Sequence, residues 1–119
     1  MSESSMNTVN YFEVGTPDPE AARAFYGHVF GWEFGPAGPA GYAMVNGNAG
    51  GLWDTSGIGS GTWAVFYVEV ADVETSVAAA IANGAQIVLP PVDNGAIIFA
   101  HLSDPAGNRF GVWQRKNAG

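Results

Sequence analysis

Short stretches in which apolar and polar residues alternate run along the chain, and a helical spacing interrupts them twice. Residues 9–14 (VNYFEV) alternate around Phe12 and Val14, which predicts a strand ending at Gly15. Thr16 to Glu20 then supply a cap-type residue, prolines tolerated in a first turn and acids where the helix dipole favours them. Ala21, Ala24, Phe25, Val29 and Phe30 keep the helical period until Gly31, so a helix is predicted from about Pro19 to Phe30. Three short segments, 32–34, 42–46 and 49–54, follow between Gly, Pro and Asn turns and predict a small antiparallel meander.

The same order recurs from Thr62. An aromatic and β-branched strand (WAVFYVEV) leads to Asp72, which opens an alanine-rich helix ended by Asn83 and Gly84. Segments 86–89, 96–102 and 109–113 complete a second meander, with the tight turn Asp104 to Asn108 joining the last two. Asp18 and Glu20 recur as Asp72 and Glu74, and Gly50 to Trp53 (GGLW) recurs as Phe110 to Trp113 (FGVW). Each half therefore reads as β-α-β-β-β. Two copies are too few for a solenoid or propeller. They predict an α+β domain in which two half-domains share a core, with helices outside and a mostly antiparallel sheet curved around a concave cleft.

Composition narrows the occupations of such a domain. The 119 residues carry 4 basic against 11 acidic side chains, a net charge of −7, which argues against a nucleic-acid partner. At this length, with 47% hydrophobic residues, one domain over about 8–119 is expected. Its modules would span about 8–56 and 61–115, behind a disordered tail, 1–7. No apolar run approaches the length of a membrane span and the first residues lack a signal-peptide core, so a cytoplasmic protein without a membrane partner is expected. The absence of cysteine removes disulfides, thiolate nucleophiles and zinc-thiolate sites.

Several motifs together carry a family resemblance. They are the paired βαβββ modules, the run from Phe12 to Trp32 (FEV, then Asp18, Ala22, Phe25-Tyr26 and Phe30-Gly31-Trp32), the segment Val70 to Val73 and the Asp104 to Asn108 turn (DPAGN). The chain after its first seven residues resembles the vicinal oxygen chelate superfamily, also called glyoxalase, bleomycin-resistance and extradiol-dioxygenase-like. Metal-dependent members hold one divalent ion through a His or acid on the first strand of each module and a Glu on the last. Carried over residue by residue, those positions fall on Tyr11, Val65, Gly51 and Gly111. Valine and glycine offer no side-chain donor, so the resemblance implies a degenerate member with no metal, no other cofactor and no true glyoxalase or dioxygenase activity. It also implies a homodimer.

Residues two apart on a strand share a side, which gives the composition of the cleft. With Phe12, Val14, Phe66, Val68, Val70, Phe110 and Val112 under the helices, the inward set is Val9, Tyr11, Glu13, Val65, Tyr67, Glu69, Arg109, Gly111 and Trp113. Counting back across the last turn sets His101 beside Gly111, with Phe99 and Ile97 in the same row. Glu13 and Glu69 are then candidate general bases and His101 a candidate acid or substrate orienter, because an enclosed carboxylate is disfavoured in its charged form and imidazole changes charge near neutrality. Tyr11, Tyr67, Trp53, Phe99, Arg109 and Trp113 are candidate ligand contacts. Val65, Gly51 and Gly111 leave room there for a ligand ring.

Each assignment has a structural alternative. The two glutamates at strand ends would reach water or pair with Arg109, and His101 would be a hydrogen-bonded strand residue. Trp32, Trp53, Trp63 and Trp113 would belong to a core or dimer interface, and His28 would complement the negative end of its helix. The loops 35–41 and 56–61 lack the Lys-Ser or Lys-Thr that completes a phosphate loop. The functional expectation is an acid/base enzyme of isomerase, cyclase or lyase type acting on a carbonyl or aromatic substrate. The alternative is a non-catalytic protein that sequesters a small planar cation such as an antibiotic.

Overall fold

The computed structural model describes residues 6–58 and 61–116. Most of the expected tail, residues 1–5, and part of the 56–61 loop lie outside them. The remainder of the tail is held, since the Asn7 amide donates to the Glu69 carbonyl at 2.6 Å.

Seven strands and two helices follow in the order β1 (Thr8–Thr16), α1 (Pro19–Phe30), β2 (Tyr42–Val45), β3 (Gly50–Asp54), β4 (Trp63–Glu69), α2 (Val73–Ala82), β5 (Gln86–Asp93), β6 (Ile97–Ser103) and β7 (Arg109–Arg115). Parallel and antiparallel strand pairs both occur in this α+β fold. The chain divides into two compact units, Tyr11–Val65 on one side and the residues up to Asn10 with those from Phe66 on the other. The first unit departs from the expected βαβββ order. Segment 32–34 forms only an isolated bridge, Phe34 with Val45, because the following Pro36 and Pro39 have no N–H with which to extend a ladder.

Local chemistry sets the helix ends. Asp18 accepts from the Ala21 amide at 3.1 Å and Pro19 opens α1. Gly31 closes it in the left-handed region (φ 70°), where a Cβ would be strained, and its amide donates to the Gly27 carbonyl. The His28 Nδ1 lies 2.7 Å from the Ala24 carbonyl in the last turn. Asp72 caps α2 through the Thr75 amide at 2.9 Å, and Gln114 Oε1 accepts from the Val73 amide at 2.7 Å, satisfying a second first-turn donor.

In the Tyr11–Val65 unit, β3 lies between β2, antiparallel, and β1, parallel. In the other unit β7 lies between β4, parallel, and β6, antiparallel, while β5 forms the edge. Glu13 pairs with Gly51 and Tyr67 with Gly111, so the internal repeat reappears in the strand register. The core of the second unit is Val70, Val73, Val77, Ala100, Leu102 and Val112, packed by Val68, Ala80, Ile98 and Phe110. Phe66, expected beneath a helix, is instead 46% exposed and stacks on Phe110.

Two exposed aspartates make the fold acid-sensitive. Asp72 is held below the usual carboxylate range by the Thr75 hydroxyl and then the Thr75 amide. Asp104 is held there by the Asn108 side chain and then the Asn108 amide. A carboxyl whose folded value lies below its unfolded value contributes fully above the unfolded value, and the contribution is lost as pH falls through the folded one. The melting temperature should therefore drop as the pH falls into and below the ordinary carboxylate range. Asp104→Asn, which cannot titrate, should flatten part of that drop in a series of thermal melts.

Candidate functional site

In the Tyr11–Val65 unit the sheet face opposite α1 carries a buried carboxylate. Glu13 is 2% exposed. Its Oε2 accepts from the Trp63 indole N–H at 2.9 Å and its Oε1 from the Tyr42 hydroxyl at 3.0 Å. Tyr42 spends its one proton on Glu13, so Tyr11, 2.8 Å away, is the donor in the Tyr11–Tyr42 bond. The directed chain is Tyr11 to Tyr42 to Glu13. Met44 Sδ, 3.8 Å from the Tyr11 hydroxyl, flanks its outer end. Burial holds the Tyr11 hydroxyl above the usual phenol range, with Glu13's charge adding to the effect and the Tyr42 bond opposing it. Tyr11 is therefore a protonated phenol and not a phenolate. Trp53 packs edge-on against both Trp63 and Tyr42 and braces the cluster.

Glycines make this arrangement possible. A Cβ at Gly15 would meet the Trp63 indole, one at Gly50 the Phe12 ring, and one at Gly51 the Tyr42 hydroxyl. The room expected at Gly51 for a ligand ring is therefore filled by the protein's own Tyr42, and that at Gly111 by Tyr67. Both are corrections to the sequence reading, which took a missing side chain for empty space.

The other unit holds two further networks. His101, fully buried, pairs across the strands with Gly111, and Phe99 pairs with Trp113, in the register counted from the turn. Arg109 Nε donates to His101 Nδ1 at 3.0 Å, so Nδ1 carries no proton. The ring proton sits on Nε2, which donates to the Tyr67 hydroxyl at 2.5 Å. Glu69, 1% exposed, accepts from Asn10 at 2.8 Å on Oε1 and from Arg115 at 2.9 Å on Oε2. The cation seen paired with it is Arg115. Trp113 closes the circuit: its indole donates to Asn10 at 3.1 Å while its ring lies 4.9 Å beneath the Arg115 guanidinium.

The structure thus joins Tyr11, Glu13 and Trp53 in one cluster, Tyr67, His101 and Arg109 in a second, and Glu69 with Trp113 in a third. Sequence reasoning missed Tyr42, Asn10 and Arg115, and treated Trp63 only as packing. No pattern in the sequence marked Tyr42, which lies 29 residues from Glu13 on another strand.

The four positions that the resemblance assigns to metal ligands do not fit a divalent ion. Tyr11 is engaged with Tyr42, Val65 is a buried aliphatic residue, and at Gly51 and Gly111 tyrosines occupy the space into which a glutamate would project. Among the described residues no group of three His, Asp or Glu side chains gathers that could hold a metal, and no helix is long and apolar enough to cross a membrane.

The sequence model of the family described as a glyoxalase-like domain matches residues 11–113. This chain belongs to the glyoxalase-like domain family. It is 30% identical over 125 residues to a putative glyoxylase, CFP32, of Mycobacterium bovis, aligning 95% of this chain with 48% of that protein, so it spans about half the length of the curated relatives it matches. Among solved structures it is similar to the Mn(II)-bound glyoxalase of Novosphingobium aromaticivorans (TM-score 0.61, 18% identity, 96% of this chain and 42% of that one). It is also similar to the methylmalonyl-CoA epimerase of Streptomyces coelicolor in complex with 2-nitronate-propionyl-CoA (TM-score 0.60, 16% identity, 94% and 99%). At these identities the two structures support the glyoxalase-like fold alone.

Proposed function

We propose that this glyoxalase-like protein is a metal-independent acid/base enzyme that moves a proton next to a carbonyl group. The observation that carries this reading is the hydrogen-bonded chain from Tyr11 through Tyr42 to Glu13. A carbon-bound proton passes to the Tyr11 oxygen as Tyr11 hands its own proton to Tyr42 and Tyr42 hands its own to Glu13. The substrate keeps the electron pair as an enolate and the carboxylate is neutralised, so charge is conserved. Return of a proton from Tyr11 to the same carbon exchanges it with solvent, and return to another atom gives isomerisation. Tyr11 stays protonated at rest and Glu13 is the terminal base. Glu69, with both oxygens engaged by Asn10 and Arg115, is assigned no proton transfer here. His101 is assigned the orientation of Tyr67.

The test is deuterium incorporation from D2O into a panel of carbon acids, including methylmalonyl-CoA and α-hydroxy ketones, by protein treated with a chelator and followed by proton NMR. Wash-in at an α-position, undiminished by the chelator, is expected. No wash-in for any member, or wash-in that only an added divalent ion restores, would overturn the reading.

A second reading is favoured by the Arg115 guanidinium over Trp113, whose ring already accepts a cation at a side chain 71% exposed. A planar cation displacing Arg115 would gain the same cation–π attraction, about 0.5–2 kcal/mol, and the charge of −7 would raise its local concentration. Bleomycin as the probe, quenching tryptophan fluorescence in a salt-sensitive manner without being altered, would support sequestration. Membership of a pairing family supports a homodimer, which sedimentation would read directly.

A further inference from the structure

The opposite face of the same sheet segment carries a cavity that the proton-transfer chain does not use. Tyr42, Met44, Gly51 and Trp53 occupy one side of β2 and β3. Their neighbours Ala43 and Leu52, paired with each other and each 2% exposed, form the floor of a cavity of about 350 Å³ on the α1 side. Its walls include Glu20 and Arg23 of α1 and Asp54 at the end of β3. This volume is at the lower end of the usual range for small-molecule sites.

The charged groups of the cavity are arranged as for a ligand of two signs. Arg23 is fixed at two points: its Nη2 donates to the Gly35 carbonyl at 3.0 Å, and its guanidinium lies 5.6 Å from the centre of the Phe34 ring. Neither contact neutralises it. Among the described residues Arg23 forms no ion pair, although two carboxylates share its cavity. Asp54 directs Oδ1 to both the amide and the hydroxyl of Ser56, at 2.9 and 2.6 Å, bonds that favour its charged form. A simple anion would gain Arg23 and meet two acids, whereas a simple cation would gain the acids and meet Arg23. A ligand carrying both signs meets a partner for each, and an apolar side chain has the Ala43 and Leu52 floor.

We infer that this cavity binds a small zwitterion of α-amino-acid type, its carboxylate on the guanidinium of Arg23, its ammonium toward Glu20 and Asp54, and its aliphatic side chain on Ala43 and Leu52. Arginine is suited to the first contact because its planar fork pairs with a carboxylate through two parallel hydrogen bonds. The site lies on the other side of the sheet from Glu13, so binding there is separable from the proposed proton transfer.

Amide chemical-shift titration of the whole protein with L-leucine, 4-methylpentanoate and 3-methylbutylamine tests the inference. Saturable shifts at Gly41, Ala43 and Leu52 are expected with leucine at concentrations up to about 10 mM. Each one-ended analogue should bind at least about tenfold more weakly, as should leucine to Arg23→Gln. Should Arg23→Gln fail to fold, Glu20→Gln, an exposed position, decides the point by the same loss. The inference is overturned if leucine produces no saturable shift, if 4-methylpentanoate binds as well as leucine, or if the folded Arg23→Gln or Glu20→Gln protein binds leucine unchanged.

Discussion

Gly111→Glu, which restores the residue type that metal-binding relatives place on the last strand, is expected to unfold or severely destabilise the protein and to create no metal site. Even Gly111→Ala brings a Cβ into the Tyr67 ring, which is 3% exposed. The ring cannot swing aside at low cost, because its hydroxyl is bonded to His101 and His101 to Arg109. One added methyl in such packing costs about 1–3 kcal/mol, or roughly 4 °C of melting temperature per kcal/mol at this size. The glutamate adds a longer side chain and a charge beside a fully buried His101. Gly57→Ala, where a Cβ meets nothing within 4 Å, is the neutral control. Thermal melts compare the variants, and equilibrium dialysis against Mn2+ checks for metal. A stable Gly111→Glu protein that binds the ion would refute this account of the position.

Glu13→Gln should separate stability from turnover. The carboxylate accepts from two different donors, Trp63 and Tyr42, whereas an amide offers one oxygen and turns an N–H2 toward the remaining donor. Leaving a buried donor unsatisfied costs about 1–3 kcal/mol, a loss visible in thermal melts. The amide also cannot take up the relayed proton, so α-proton exchange should fall by about 10²- to 10⁴-fold, the usual contribution of a positioned acid or base. Full exchange in a folded Glu13→Gln protein would remove Glu13 from the chemistry.

Much of the fold was legible because local chemistry writes it. The bounds of α1 follow from Asp18, Pro19 and Gly31 with no reference to the rest of the chain. The register of β6 on β7 follows from a short turn in which Asp104 Oδ1 accepts from the Ala106 and Asn108 amides. Where the reading failed, the deciding partner was distant or a breaker was tolerated. The strand expected over 86–89 stops just before Pro90 and Pro91. Yet β5 continues to Asp93, since an edge strand can spare N–H groups and the prolines are absorbed by a register shift between Leu89 and Val92.

The candidate site was half legible for the same reason. Alternation placed Glu13, Glu69 and His101 on one side of their strands, because that rule needs only a strand's own sequence. Which donors the two glutamates would meet depended on side chains 29 to 59 residues away, such as Tyr42 for Glu13 and Asn10 for Glu69. Spacing along one strand carries no record of those meetings. Nor could it distinguish a glycine that opens a pocket from one that another residue covers, as Tyr42 covers Gly51 and Tyr67 covers Gly111.

The proton chain is tested most directly at its middle link. Tyr42→Phe removes one hydroxyl, leaving Tyr11 in place and Glu13 still bonded to Trp63. Deuterium wash-in at the substrate α-carbon should then fall by about 10²-fold or more in a folded, chelator-treated protein. Wash-in at the wild-type rate in Tyr42→Phe would show that no proton reaches Glu13 by this path.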